Sequence, residues 1–206
     1  MTTAPPGLRA RKKQRTYDDL QRAALDLFAL HGFDHVTIDD ICAAAEVSKT
    51  TFYRYFDTKE DVLLGAAEEK IEVMGDALAR RPLDEPAIVA VRNAFLEFAE
   101  LYQMDRNTKL AISQITRVTP ALAARNLEHQ TAWEGLLRDF FVSRDPEVGP
   151  PRDAELRHCV MASTVVAALR AAVDYWLTHG AETDLRAIVD DALQVTIGGS
   201  RRTRSR

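Results

Sequence analysis

The chain has 206 residues, with 27 Lys and Arg against 31 Asp and Glu, a formal net charge of −4, 46% hydrophobic and 28% charged residues, which excludes a disordered or fibrous protein. Its two cysteines, Cys42 and Cys159, exclude a disulfide framework, form no C-x-x-C pair for zinc or redox chemistry and read as small buried thiols in a reducing compartment. No secretory h-region is visible, and the longest uncharged apolar run, residues 159–169, is too short to span a bilayer, so a cytoplasmic protein with no membrane partner is expected.

Helical spacing dominates from one end of the chain to the other. A basic N-terminal arm, residues 1–15, carries Arg9, Arg11, Lys12, Lys13 and Arg15 with no acid among them. Thr16 with Asp19 has the pattern of a capping box, and Leu20, Ala24, Leu27, Phe28 and His31 follow one helical face up to Gly32, a left-handed C-cap. Thr37 with Asp40 opens a short second helix with Ile38, Ile41 and Cys42 inward. Ser48 is placed to cap a third, running to about Phe56. Thr58 with Asp61 opens a long helix with the stripe Leu63, Ala67, Ile71, Met74 and Leu78, ended by Pro82.

Asp84 can cap the next helix, along which Ile88, Val91, Phe95, Phe98 and Tyr102 align. A shorter segment at 108–118 presents Leu110, Ile115 and Val118. Thr119-Pro120 is a strong start signal for a helix bearing Leu127, Trp133, Leu137, Phe140 and Phe141. Residues 145–152, rich in proline, are the clearest break. Two helices follow, about 153–179 and 183–197, before a basic tail at 199–206. The reading is an all-α fold of about nine helices without a fixed repeat. Residues 61–200 hold 14 basic against 22 acidic side chains, so an acidic body with basic ends is suited to grip a phosphate backbone at one end.

The stretch from Thr37 to Lys59 carries the chemistry. It reads as two short helices joined by a tight turn, in which Phe52 and Phe56 anchor the second helix inward. Lys49, Thr50, Thr51, Tyr53, Arg54 and Tyr55 then face outward, as a helix entering a major groove requires. Taken singly, Thr37, Ser48 and Thr58 are also plain helix caps, and Lys59 is also a solvated helix start. The sequence resembles the TetR family of bacterial transcriptional regulators in A-x-x-L-F-A-x-x-G-F (Ala24–Phe33), in Thr37-Ile38, and in V-S-K-T-T-F-Y-R-Y-F-D-T-K-E-D-V-L (Val47–Leu63). That resemblance implies a helix-turn-helix DNA-binding domain at 16–60 whose recognition helix begins at Ser48. It implies groove contacts from Lys49, Thr50, Thr51 and Arg54, and phosphate contacts from Thr37, Tyr53 and Lys59, supplemented by the basic arm.

The resemblance further implies a ligand-binding and dimerisation domain at 61–198. The run Leu110–Pro120, Trp133, and Val173–Leu177 followed by Thr183–Arg186 resemble the C-terminal domain of mycofactocin-type regulators, a TetR subgroup with relatives that respond to acyl-CoA or other apolar ligands. Phe95, Phe98, Tyr102, Ile115, Trp133 and Leu137 are candidates to line a cavity, with Asn126, Gln130 and Arg170 as polar anchors; equally, the aromatics simply fill the core. Arg170, a charge in an apolar helix, pairs with an acid, snorkels, or meets an anionic ligand. Residues 159–173, small and apolar, suit close helix approach between two copies, so the last two helices are the expected homodimer interface, as the resemblance also implies.

No catalytic signature is present: H-E-x-x-H, the P-loop, G-x-G-x-x-G and G-x-S-x-G are all missing. Glu155 and His158 match the Glu-x-x-His of helical di-iron proteins, but no second copy accompanies them. The expectation is therefore a non-enzyme without metal or cofactor. It is read as a dimeric repressor of a palindromic operator, released by a small apolar or acyl-type inducer, with residues 59–80 as a continuous lever. The rival is a helical small-molecule-binding module without specific DNA binding.

Overall fold

The computed structural model describes residues 7–65, 67–144 and 151–198. Among the described residues there are ten α-helices, a 3-10 turn at Phe33–His35 and no strand. They are α1 (Leu8–His31), α2 (Ile38–Ala44), α3 (Lys49–Phe52), α4 (Lys59–Leu64), α5 (Ala67–Ala79), α6 (Ala87–Gln103), α7 (Arg106–Val118), α8 (Pro120–Arg144), α9 (Pro151–Thr178) and α10 (Leu185–Gly198). The helices form two compact units, one of Met1–Ala66 with Ala111–Arg125 and the other of Ala67–Leu110 with Asn126–Arg206. The division expected at 60/61 lies six residues later, and parts of α7 and α8 belong to the first unit. The basic tail at 199–206 and most of the proline-rich break lie outside the described residues.

In the first unit α1 is longer than its capping pattern suggests. Arg9–Arg15 holds good helix formers and no breaker, so the helix runs back to Gly7 and the expected arm is, over residues 8–15, helical. The Thr16 box does not form; Thr16 Oγ1 donates instead to the Lys12 carbonyl 3.1 Å away, one turn back. Leu20, Ala24 and Phe28 of α1 pack with Phe33, Val36, Ile41, Phe52, Phe56 and Val62, and Ile112 and Leu122 complete this core. Each large side chain so buried contributes about 1.5–3 kcal/mol. Cys42 lies in the same core, and burial pushes its thiol pKa up.

The two later boxes form as expected. Thr37 N–H donates to Asp40 Oδ2 at 2.9 Å and Asp40 N–H to Thr37 Oγ1 at 3.2 Å, while Thr58 and Asp61 repeat the pair at 3.0 and 3.2 Å. Each cap stabilises its helix by about 1 kcal/mol. The long helix expected from Thr58 is two helices, because Gly65 adopts φ 71° and ψ 165° and ends α4, donating its N–H to the Asp61 carbonyl at 2.8 Å. Only glycine takes that conformation readily. The expected stripe is accordingly divided, Leu63 in the first core and Met74 and Leu78 in the second.

In the second unit α6 starts after Pro86 rather than at Asp84. The residue before a proline is held out of the helical region, and Glu85 instead accepts from Arg81 at 2.7 and 2.6 Å and from Asn93 at 2.7 Å. The core gathers Val91, Phe95, Leu137, Phe141, Ala162, Val165, Trp176, Leu185 and Leu193. Arg92 pairs with Asp190, and Arg186 with Glu100, fastening α6 to α10. Trp176 Nε1–H donates to the Thr183 carbonyl at 2.7 Å, closing the corner between α9 and α10. Leu127, expected on the inward face of α8, is exposed.

Candidate nucleic-acid interface and effector site

The turn after α2 is tight. Glu46 takes a positive φ of 54°, and Val47 N–H returns to the Cys42 carbonyl at 2.9 Å. Ser48 then caps α3, its Oγ accepting from Thr51 N–H at 3.1 Å. Four residues are α-helical, but Tyr53 N–H to Lys49 O at 2.9 Å and Phe56 N–H to Phe52 O at 3.0 Å carry the winding on to Phe56. Phe52 and Phe56 are buried in the first core, their ring centroids 5.7 Å apart.

This anchorage turns most of the remaining side chains outward, but Tyr55, expected among them, is half-buried and packs on the first core, its ring centroid 6.4 Å from that of Phe56. Ser48, Lys49, Thr50, Tyr53 and Arg54 are exposed, and Thr51 is half-buried with its hydroxyl 3.0 Å from Ser48 Oγ. Lys49 Nζ meets Asp39 Oδ1 at 2.8 Å, and that hydrogen bond, with the carboxylate's charge, raises the lysine pKa. Arg54 lies 5.2 Å from the Tyr55 ring centroid. Thr37 is exposed while capping α2. Lys59 differs from the solvated helix start that its neighbours suggest. Its ammonium donates to the carbonyls of Phe33 at 2.8 Å and Val36 at 3.1 Å and stands 4.3 Å from the Phe33 ring centroid. Two of its three donors thus hold the turn that carries Thr37.

Asp61 has a second partner that its capping box does not reveal. The carboxylate is nearly fully buried, and Oδ1 accepts from Arg125 Nη2 at 3.2 Å and Nε at 3.3 Å. One side chain therefore caps α4 and binds the start of α8.

The expected ligand residues separate into groups. Phe95, Phe98, Tyr102, Trp133 and Leu137 share the second core. The Trp133 centroid is 5.6 Å from Phe95 and 5.9 Å from Phe98, Phe98 is 6.0 Å from Tyr102, and Tyr102 is 6.2 Å from Trp176. Gln130 is half-buried on the same helix as Trp133. Ile115 packs on the other core, that of the first unit. Asn126 and Arg170 are exposed; Val165, Val166, Ala172 and Trp176 hold the inward stripe of α9, so Arg170 falls on the outer face and is no buried anchor. Sequence reading missed Lys109, half-buried with Nζ 5.0 Å from the Tyr102 ring centroid. Burial pushes the Lys109 pKa down; burial, then the charge of Asp174, pushes Tyr102 up to about 12.

The last two helices keep apolar surface uncovered: Leu156, Val160 and Tyr175 on α9 and Val195 on α10 are each more than half exposed. By length and composition alone, the helix segment Asp153–Thr178 is long and apolar enough to cross a membrane, its most apolar 18-residue window having a mean hydropathy of 1.3 and 28% of that window being buried. Its exposed face also bears Arg170 and Asp174.

Comparison with known proteins gives a concordant result. Residues 20–66 match the family described as bacterial regulatory proteins, tetR family, and residues 85–200 match the MftR C-terminal domain. The HTH-type transcriptional regulator TcmR of Streptomyces glaucescens is 33% identical over 189 residues, 89% of this chain and 82% of its own. The fatty acid degradation regulator FadR from Bacillus halodurans has the same fold, with a TM-score of 0.62 at 21% identity over 96% of this chain and 99% of its own. FadR from Thermus thermophilus, a repressor solved in complex with lauroyl-CoA, aligns with a TM-score of 0.55 at 20% identity over 92% of this chain and 98% of its own. The chain belongs to the TetR family of bacterial transcriptional regulators.

Proposed function

We propose that this regulator is a cytoplasmic repressor that binds a palindromic operator as a homodimer and leaves it when a small apolar or acyl-type effector occupies the second unit. The observation that carries the reading is the outward polar face of α3, held rigid from behind by Phe52 and Phe56. Lys49, Thr50, Thr51 and Arg54 read base edges; Thr37, Ser48 and Tyr53 bind the backbone, joined by the remaining donor of Lys59. The basic first turns of α1 add phosphate contacts.

Dimerisation through α9 and α10 covers Leu156, Val160, Tyr175 and Val195, which a monomer leaves in water. The two copies of α3 then lie about 34–36 Å apart, one turn of duplex. Effector binding favours a dimer with a different spacing. The interruption at Gly65 removes the continuous lever expected over residues 59–80. Asp61–Arg125 offers another route, because α8 carries Arg125 in the first unit and Trp133 and Leu137 in the second.

The test is a salt titration of duplex binding by the parent and by the combined Lys49→Ala, Thr50→Ala and Arg54→Ala variant. The variant is expected to stay folded and to lose affinity and sequence preference, while the salt slope, set by the phosphate contacts it retains, changes little. Unchanged affinity would defeat the assignment.

A further inference from the structure

Lys109 is placed oddly for a surface lysine. It is half-buried, its ammonium lies against the Tyr102 ring, and among the described residues no carboxylate forms an ion pair with it. Asp105, one turn earlier, acts on it only through its charge. A ring face offsets part of the lost hydration of an ammonium but uses none of its three N–H donors. From Tyr102 a row of half-buried rings leads away from the ammonium, through Phe98 to Trp133, each within about 6 Å of the next. The Tyr102 phenol, its pKa raised to about 12, stays protonated and is a further donor.

We infer that the second unit selects an organic carboxylate, its ring-bearing apolar body lying on Phe98, Tyr102 and Trp133 and its carboxylate taking the free donors of Lys109. This deepens the effector reading above and rests on it. Desolvation favours the neutral amine, and an arriving anion reverses that preference. A charged ligand group therefore gains more here than on an open surface. A neutral analogue of the same shape keeps the ring contacts and loses the ion pair.

The experiment is calorimetric titration of the full chain, without DNA, with 2-naphthoate and with its neutral counterpart 2-naphthamide. The parent is expected to bind the carboxylate about tenfold or more tightly than the amide. Lys109→Met is expected to bring the carboxylate down to the level of the amide while leaving amide affinity unchanged, which also shows that the site still folds. Lys109→Arg keeps the preference, and Trp133→Ala weakens both probes alike. Equal affinities in the parent, no saturable binding of naphthoate, or a preference surviving in Lys109→Met would each overturn the inference. None of these results depends on DNA, so the operator reading fails or stands on its own titration. A repressor–duplex complex that persists at saturating naphthoate counts against this site as the effector site, while the binding preference still identifies its chemistry.

Discussion

Replacing Arg125 by methionine keeps most of the side-chain volume at the start of α8 and leaves Asp61 without its guanidinium. Asp61 is 3% exposed and retains the Thr58 backbone and hydroxyl donors at 3.0 and 2.7 Å on Oδ2, but Oδ1 loses both nitrogens of Arg125. Removing one partner of a fully buried pair costs about 3–5 kcal/mol. The arginine side chain here is 34% exposed, so solvent screening reduces the loss to about 2–3 kcal/mol. Because the chain has two units, global unfolding is a blunt assay. Labelling of the buried Cys42 thiol, which sits in the first core, reports that unit alone. Under conditions where closing outpaces labelling, a loss of 2–3 kcal/mol accelerates Cys42 modification by about 30- to 150-fold. Arg22→Met is the control, since its pair with Asp19 is 3.6 Å apart and mostly exposed; it should change the rate less than about threefold. Equal rates for the two variants would refute the claim that the buried pair holds α4 to α8.

Four further outcomes are expected. Gly65→Ala forces a side chain into a φ of 71° with ψ 165° and destabilises the first unit by about 1–3 kcal/mol, read as Cys42 labelling about 5- to 150-fold faster under the same conditions. Asp39→Ala removes the carboxylate that occupies Lys49; duplex affinity at low salt should rise by up to about fivefold and the gain should fade at high salt. Lys59→Met abandons the carbonyls of Phe33 and Val36, lowering stability by about 1.5–3 kcal/mol and accelerating exchange of the Thr37 and Asp40 amides. Glu85 is held below the ordinary glutamate range, chiefly by its hydrogen bond from Arg81. Its contribution is therefore full above that range and is lost as pH falls through the lowered value. Stability curves of Glu85→Gln and the parent should differ at neutral pH and converge in acid.

The sequence revealed what local chemistry controls. The caps at Thr37, Ser48 and Thr58 form because each oxygen lies three residues from the amide it binds, and the inward Phe52–Phe56 pair follows from a separation of four. The outward face of α3 was legible for the same reason. Where two local signals competed, reading one alone misled. A capping pattern at Thr16 lost to uninterrupted helix formers before it, and helical periodicity across residues 63–78 concealed the single glycine that ends α4. What pairs across the chain was not legible: Arg125 lies 64 residues from Asp61, and no spacing rule joins them. The approach of Lys109 to Tyr102 joins two successive helices and follows from no spacing rule, and composition leaves open which side of α9 turns inward, which is what decides that Arg170 is exposed.

The account rests on α3 as the element that reads bases, and selection from a random duplex pool tests this most directly. The parent should enrich two inverted half-sites centred about one helical turn apart. The same selection with the Lys49→Ala, Thr50→Ala and Arg54→Ala variant should enrich none. A pool that stays random with the parent, or the same motif recovered by the variant, would contradict the account.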